Sequence, residues 1–263
     1  MKIKAKKSLG QNFLIDSKII KQITETVIIK DKKILEIGPG TGNLTLAILN
    51  KNPKKLIVVE KDNDLAESLK KRFKSKLDVI NDDVLNIDES SLESEKLTVF
   101  GNLPYNISTE ILRKWILSIS ENKSWFDFLV LMFQKEVADR IVSPHNSKNY
   151  GRLSILSSWK LDVKKICDVK SSSFSPRPKI DSSILFFKPK KNFYEFKNYK
   201  NLEKITRVFF MHRRKMIKKA YYQLFNGNNN IALKIGIDLN SRPQNLDFET
   251  YLKLTKEYEY LRG

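Results

Sequence analysis

Apolar positions along this chain keep two periods. Residues 33–37, 55–60, 77–80, 97–100, 126–133 and 180–187 carry short, nearly continuous apolar runs, the mark of strands buried on both faces. Between the early runs the spacing is helical, as at Leu44, Ala47, Ile48 and Leu49 and over residues 65–73, 111–119 and 135–142. Ahead of them, Ile19, Ile20, Ile23 and Val27 recur at helical spacing behind Asp16 or Ser17, either of which can cap the helix. Residues 143–190 are less regular. Tyr150-Gly151-Arg152-Leu153 opens another apolar segment, residues 161–169 alternate weakly, and residues 171–179 form a loop stiffened by Pro176 and Pro178. Residues 188–199 read as a linker. Beyond it the pattern is wholly helical, with Phe209, Met216, Ala220 and Leu224 on the core side of one helix and residues 247–260 as the last. The expected class is α/β with a small C-terminal all-helical domain, divided as 1–190 and 191–263.

The strand ends carry the chemistry. Residues 33–37 run into Gly38-Pro39-Gly40-Thr41-Gly42, and the next strand ends in Glu60, 22 residues after Gly38. Strand, glycine-rich turn, helix, strand and acid describe the first half of a doubly wound nucleotide-binding sheet, in which the acid can hold two ribose hydroxyls. The spacing departs from the dinucleotide pattern, which requires glycine where Asn43 stands, and no Gly-Lys-Ser/Thr follows to make a P-loop. Glu36, just ahead of the glycines, would repel a pyrophosphate. A cationic adenosyl ligand without phosphates fits better, and S-adenosylmethionine carries both a sulfonium and an ammonium. The third strand ends in Asn81-Asp82-Asp83-Val84, where Asp83 can accept from an adenine amino group or simply form a solvated acidic turn.

The fourth strand ends in Gly101-Asn102-Leu103-Pro104-Tyr105. Asn102 offers a side-chain carbonyl that accepts from an amine. Pro104 holds the residue before it extended and so aims the Leu103 carbonyl. Tyr105 offers a flat ring for a base. Together they form a grip for an exocyclic amine, though the tetrapeptide alone also suits an ordinary turn with a buried tyrosine. Phe174, ahead of the rigid loop, is either a second aromatic face over the base or a buried anchor.

The totals narrow the classes. At 263 residues and 41% hydrophobic the chain can bury a large core. One cysteine, Cys167, excludes an internal disulfide, and two histidines leave little for a metal site. No apolar run is long enough for a membrane span, and a cytoplasmic, soluble protein is expected. The net charge of +19 points to a polyanionic partner, and the excess grows along the chain, from +4 in residues 1–100 to +7 in 101–190 and +8 in the last 73. It is densest at Arg213, Arg214, Lys215, Lys218 and Lys219, where phosphate contact is expected.

Taken together, Gly10-Gln11-Asn12-Phe13-Leu14, Glu36 to Gly42, Asn102-Leu103-Pro104-Tyr105, Phe174-Ser175-Pro176-Arg177-Pro178-Lys179-Ile180-Asp181-Ser182 and Arg213-Arg214-Lys215 resemble the KsgA/RsmA family of ribosomal RNA adenine dimethyltransferases. The resemblance covers nearly the whole chain. It implies a Rossmann-like catalytic domain, S-adenosylmethionine as donor without a metal, and a donor site lined by Asn12, Leu14, Gly38, Glu60, Asp83 and Asn102. Residues 11–14 then become a lid over the ligand, and Asn102, Leu103, Pro104, Tyr105 and Phe174 the catalytic group. The implied substrate is a pair of adjacent adenosines in a hairpin loop near the 3′ end of small-subunit rRNA, within a partly assembled subunit, dimethylated by a monomer during ribosome biogenesis. Two rivals share the fold: an Erm-type enzyme acting on large-subunit rRNA, and a non-catalytic RNA-binding assembly factor.

Overall fold

A computed structural model describes residues 5–6, 9–121 and 123–262. Lys2, Lys4 and Lys7 of the basic N-terminal arm lie outside the described residues. Contacts divide the chain into two units. The first holds residues 1–119, 123–138 and 163–189, and the second residues 120–122, 139–162 and 190–263. The boundary expected at residue 190 therefore marks the return of the chain to the second unit. That unit also takes up residues 139–162, which a linear division assigns to the first.

The first unit begins with β1 (Phe13–Leu14) and α1 (Ser17–Glu25). Asp16 caps α1 by accepting from the Lys18 and Ile19 amides. There follow β2 (Lys33–Ile37), α2 (Asn43–Leu49), β3 (Lys55–Val59), α3 (Asn63–Phe73), β4 (Asp78–Ile80), β5 (Leu97–Asn102), α4 (Ser108–Ser118), β6 (Phe126–Gln134) and α5 (Lys135–Val142). After α6 (Arg152–Lys160) come β7 (Leu161–Val169), β8 (Phe174–Ser175) and β9 (Ser182–Pro189). One seven-stranded sheet has the order β4-β3-β2-β5-β6-β9-β7, and β1 pairs with β8 in a separate two-stranded ribbon. β4, β3, β2, β5 and β6 run parallel, and β9 is antiparallel to β6. This is the doubly wound α/β class read from the alternating periods. Residues such as Ile34, Leu35, Val58, Val99 and Phe100 are fully buried, as strands covered on both faces must be.

Register fixes what meets at the carboxyl edge. Ile37 of β2 lies opposite Val59 of β3 and Gly101 of β5, and Val59 lies opposite Ile80 of β4. The residues that follow, Gly38, Glu60, Asn81 and Asn102, therefore come to the same edge, where ligands of such sheets sit. The glycine turn is held from below: Gly42 has φ +79°, and a Cβ there would fall 2.8 Å from Phe73 Cε2 and 3.0 Å from Leu69 Cδ2, both buried side chains of α3. Gly42→Ala is expected to cost roughly 2–4 kcal/mol, combining left-handed strain with overpacking. Thermal unfolding by circular dichroism checks this, and an unchanged midpoint would contradict the packing described.

The second unit is helical where it is regular, with α7 (Lys200–Phe210), α8 (Lys218–Phe225), α9 (Asn229–Ile235) and α10 (Phe248–Arg262) joining α6. The helix expected through Phe209, Met216, Ala220 and Leu224 is instead two helices. Residues 211–216, Met-His-Arg-Arg-Lys-Met, offer no apolar stripe to bury, so the chain turns there, and Met216 is 59% exposed. The linker is packed instead of loose. The Tyr194 carbonyl accepts from Trp159 Nε1 at 2.7 Å, and the Asn198 amide donates to Glu259 Oε1 at 2.9 Å.

Candidate functional site

A cavity opens at the carboxyl edge of the sheet. Its walls include Asn12, Phe13 and Leu14 of the arm, Glu36, Gly38 and Gly40 of the glycine turn, Glu60 and Lys61 after β3, and Asn102 to Tyr105 after β5. Every expected donor-site residue except Asp83 is in its wall.

Glu60 is held by the backbone around it. Its Oε2 accepts from the Gly40 amide at 3.1 Å and its Oε1 from the Asp62 amide at 2.9 Å, which fixes the carboxylate while leaving other lone pairs open. Burial raises its pKa against the pull of these amides. Glu36 is 1% exposed, accepts from Thr45 Oγ1 at 2.7 Å, and is pushed up to about 8 by burial, with Glu60 adding repulsion. Two buried acids in one wall disfavour a phosphate and suit a cation, in keeping with the sequence reading. Gly38, at φ +66°, brings its backbone so near the Asn102 carbonyl that a Cβ would stand 3.3 Å from it.

Asp83 lies one residue behind the wall. Its Oδ2 pairs with Lys61 Nζ at 2.7 Å, and its Oδ1 caps the short 3₁₀ turn Val84–Asn86 through the Leu85 amide. Lys61 and that amide hold its carboxyl below the ordinary value against burial. Asp82 is exposed and accepts from the Asp83 amide and from Asn86 Nδ2; neither acid of the pair is in the cavity wall, and Asp83 meets a wall residue through Lys61.

Asn102 ends β5 and its amide is anchored: Nδ2 donates to the Asn12 carbonyl at 3.0 Å. That bond leaves Oδ1 as the free, acceptor end of the side chain. Leu103 is 1% exposed and packs its Cδ2 where a Cβ on Gly101 would fall, 2.9 Å away. The turn after Pro104 closes through the Ile107 amide, which donates to the Pro104 carbonyl at 3.1 Å. Tyr105 is half-buried, its hydroxyl 2.7 Å from Ser182 Oγ. Ser182 stands out in the sequence only as part of a resemblance, whereas in the structure it anchors the hydroxyl end of the Tyr105 side chain.

Phe174 is different. It is 3% exposed, pairs with Leu14 across the β1–β8 ribbon, and packs in the core with Ile20, Val169 and Ile184. Of the two readings left open by the sequence, the buried anchor describes it, because its ring is buried and is not part of the cavity wall. Arg213 is likewise engaged internally, donating from Nε to Gln244 Oε1 and from a terminal nitrogen to the Ser147 carbonyl. Arg214, Lys215, Lys218 and Lys219 are exposed.

Sequence reasoning passes over Asp62, Asn43 and Phe13 as individual side chains. Asn43 Nδ2 donates to the Leu14 carbonyl at 2.9 Å, and Phe13 lies so close to Gly40 that a Cβ there would meet its ring at 2.8 Å. In the sequence, Asn43 signals only that it is not glycine.

A family model described as ribosomal RNA adenine dimethylase matches residues 2–260. The ribosomal RNA small subunit methyltransferase A of Pelagibacter ubique is 64% identical over the full length of both chains, and that of a Wolbachia strain from Drosophila simulans is 40% identical over 98% of this chain and 95% of its own. Among solved structures, a dimethyladenosine transferase from Plasmodium falciparum is similar with a TM-score of 0.78 at 28% identity, covering 94% of this chain and 98% of that one. The 23S rRNA methyltransferase ErmE shares the fold, with a TM-score of 0.70 at 23% identity over 94% of this chain and all of its own. A family match from one end of the chain to the other, with a relative 64% identical over the full length of both chains, means that this chain belongs to the ribosomal RNA adenine dimethylase family.

Proposed function

We propose that this chain dimethylates N6 of two adjacent adenosines in a hairpin loop near the 3′ end of 16S rRNA, using S-adenosylmethionine, as part of ribosome biogenesis. The observation that carries the reading is the meeting of Gly38, Glu60 and Asn102 at one edge of the sheet. The choice of small-subunit RNA rests on the relatives that share up to 64% of their residues with this chain.

S-adenosylmethionine supplies an electrophilic methyl group when bound. The residues that fit it are Glu60, with lone pairs free for ribose hydroxyls; Glu36, whose carboxylate would balance positive charge; Gly38, where the backbone comes close; Asn12 and Leu14 from the arm; and Asp83 beside the cavity. On the acceptor side, an adenosine swung out of an unpaired loop lies against the Tyr105 ring, which Ser182 holds in place. Asn102 Oδ1 and the Leu103 carbonyl accept the two amino hydrogens, drawing the N6 lone pair out of conjugation with the ring. No strong base is required, because the nitrogen becomes acidic only on methylation and its proton then passes to solvent. The rate comes from positioning and fixed dipoles.

The exposed cations of the second unit, Arg214, Lys215, Lys218 and Lys219, suit contact with rRNA phosphates. Among the described residues no helix is long and apolar enough to cross a membrane. A cytoplasmic monomer acting on a partly assembled 30S subunit is the setting we favour. The test supplies small- and large-subunit RNA separately with labelled donor and analyses the adenosines by mass. Dimethyladenosine in two adjacent positions of the small-subunit RNA is expected; label confined to large-subunit RNA, or absent from both, would overturn the reading.

A further inference from the structure

The N-terminal arm is tied to the sheet through one buried carboxylate. Asp62 is 3% exposed and lies just past β3. Its Oδ1 accepts from Lys6 Nζ at 2.8 Å, and its Oδ2 accepts from Gln11 Nε2 at 2.8 Å. Gln11 is held in turn, its Oε1 accepting from the Lys6 amide at 2.7 Å, and Lys6 Nζ also reaches Asp64 Oδ2 at 2.8 Å. The same Asp62 caps α3 through the Asp64 amide. One residue beyond Gln11, the Asn12 carbonyl accepts from Asn102 Nδ2.

Through the peptide link between Gln11 and Asn12, these bonds connect Asp62 to Asn102. An amide side chain has two ends of similar size, and only one accepts a hydrogen from an amine. The Asn12 carbonyl can accept only from the NH₂ end, so its bond turns Oδ1 toward the open side. A free arm would leave Asn102 to rotate about χ2, a torsion that is soft on its own.

We propose that Asp62 is a positioning residue: by latching Lys6 and Gln11 it holds the Asn12 carbonyl where it sets the orientation of the Asn102 amide. The inference rests on the acceptor role given to Asn102 above. It makes the arm part of the methyl-transfer machinery as well as a cover, because closure of the arm and alignment of the acceptor are the same event.

The test uses the full-length protein. Asp62→Asn keeps an oxygen for the α3 cap but sets two amide donors against each other at Gln11. Hydrogen exchange of the amides of residues 9–14 in the free protein is expected to quicken roughly tenfold or more, the scale of a lost charge-assisted bond. Single-turnover methyl transfer at saturating donor and RNA is expected to fall by a similar factor. The Asp62→Asn/Gln11→Glu double variant reverses donor and acceptor across the same bond, and both readouts are expected to recover. In an Asn102→Asp background, which cannot donate to Asn12, Asp62→Asn is expected to cost no further rate. Unchanged arm exchange, no recovery in the double variant, or additive rate losses would each overturn the proposal. Should Asp62→Asn fail to fold, Gln11→Ala breaks the latch away from the α3 cap and must quicken the same amides. Arm exchange needs neither donor nor RNA, so it separates failure of the latch from failure of the methyl-transfer reading, in which the unaltered protein would label no adenosine.

Discussion

Asn102→Ala is expected to reduce methyl transfer by roughly 10²–10³-fold, the scale seen when one fixed polar group facing a reacting centre is removed. The substitution deletes the acceptor proposed for one amino hydrogen and, with Nδ2, the tie to the Asn12 carbonyl. RNA affinity should change only a few-fold, because phosphate contacts come from lysine and arginine spread over a chain of net charge +19. Filter binding at fixed salt and single-turnover labelling separate the two effects. Asn102→Asp sharpens the result: it keeps an acceptor and loses the donor, and it should fall between Ala and the unaltered protein. Turnover of Asn102→Ala at the normal rate would remove Asn102 from the mechanism.

The grip proposed around Asn102 is legible in the sequence because its parts are consecutive. Gly101 to Tyr105 sit at the end of an apolar run, and a parallel sheet delivers strand ends to one edge. What secures the grip is not legible, since it comes from far along the chain: the Asn102–Asn12 bond spans 90 residues, Tyr105–Ser182 77, and Gln11–Asp62 51. Each uses a polar side chain whose local surroundings suggest a turn or a cap. α6 is hidden for another reason. Ser154 and Ser157 occupy its core-facing positions at 1% and 0% exposure, and Ser154 Oγ bonds the Arg140 carbonyl. Small hydroxyls in the core erase the apolar count on which helical periodicity depends. The break at residues 211–216 shows the converse, as Met216 keeps helical spacing with Phe209, Ala220 and Leu224 yet stays exposed among cations.

Glu36→Gln is expected to stabilise the free protein increasingly as pH rises from about 5 to 8.5. The carboxyl group sits inside the sheet with Thr45 as its hydrogen-bond partner, and burial with Glu60 nearby raises its pKa to about 8. Below about pH 4.5 folded and unfolded chains both hold this proton, and the group is neutral to stability. Between that value and about 8 the unfolded chain releases the proton while the folded chain retains it, so stability falls by roughly 1.4 kcal/mol per pH unit before levelling. Glutamine keeps an oxygen for Thr45 and carries no charge, so the variant should be on the order of 4 kcal/mol more stable at pH 8.5 and no different at pH 4.5. Thermal melts at the two pH values read this directly, and equal pH dependence of variant and parent would refute it. The cost has a use if the ligand is cationic, because positive charge brought into the cavity pulls the pKa of Glu36 back down. Binding of S-adenosylmethionine at pH 7 should then release close to one proton, seen as a buffer-dependent heat. Glu36→Gln should release none and bind more weakly, exchanging affinity for the stability it gains.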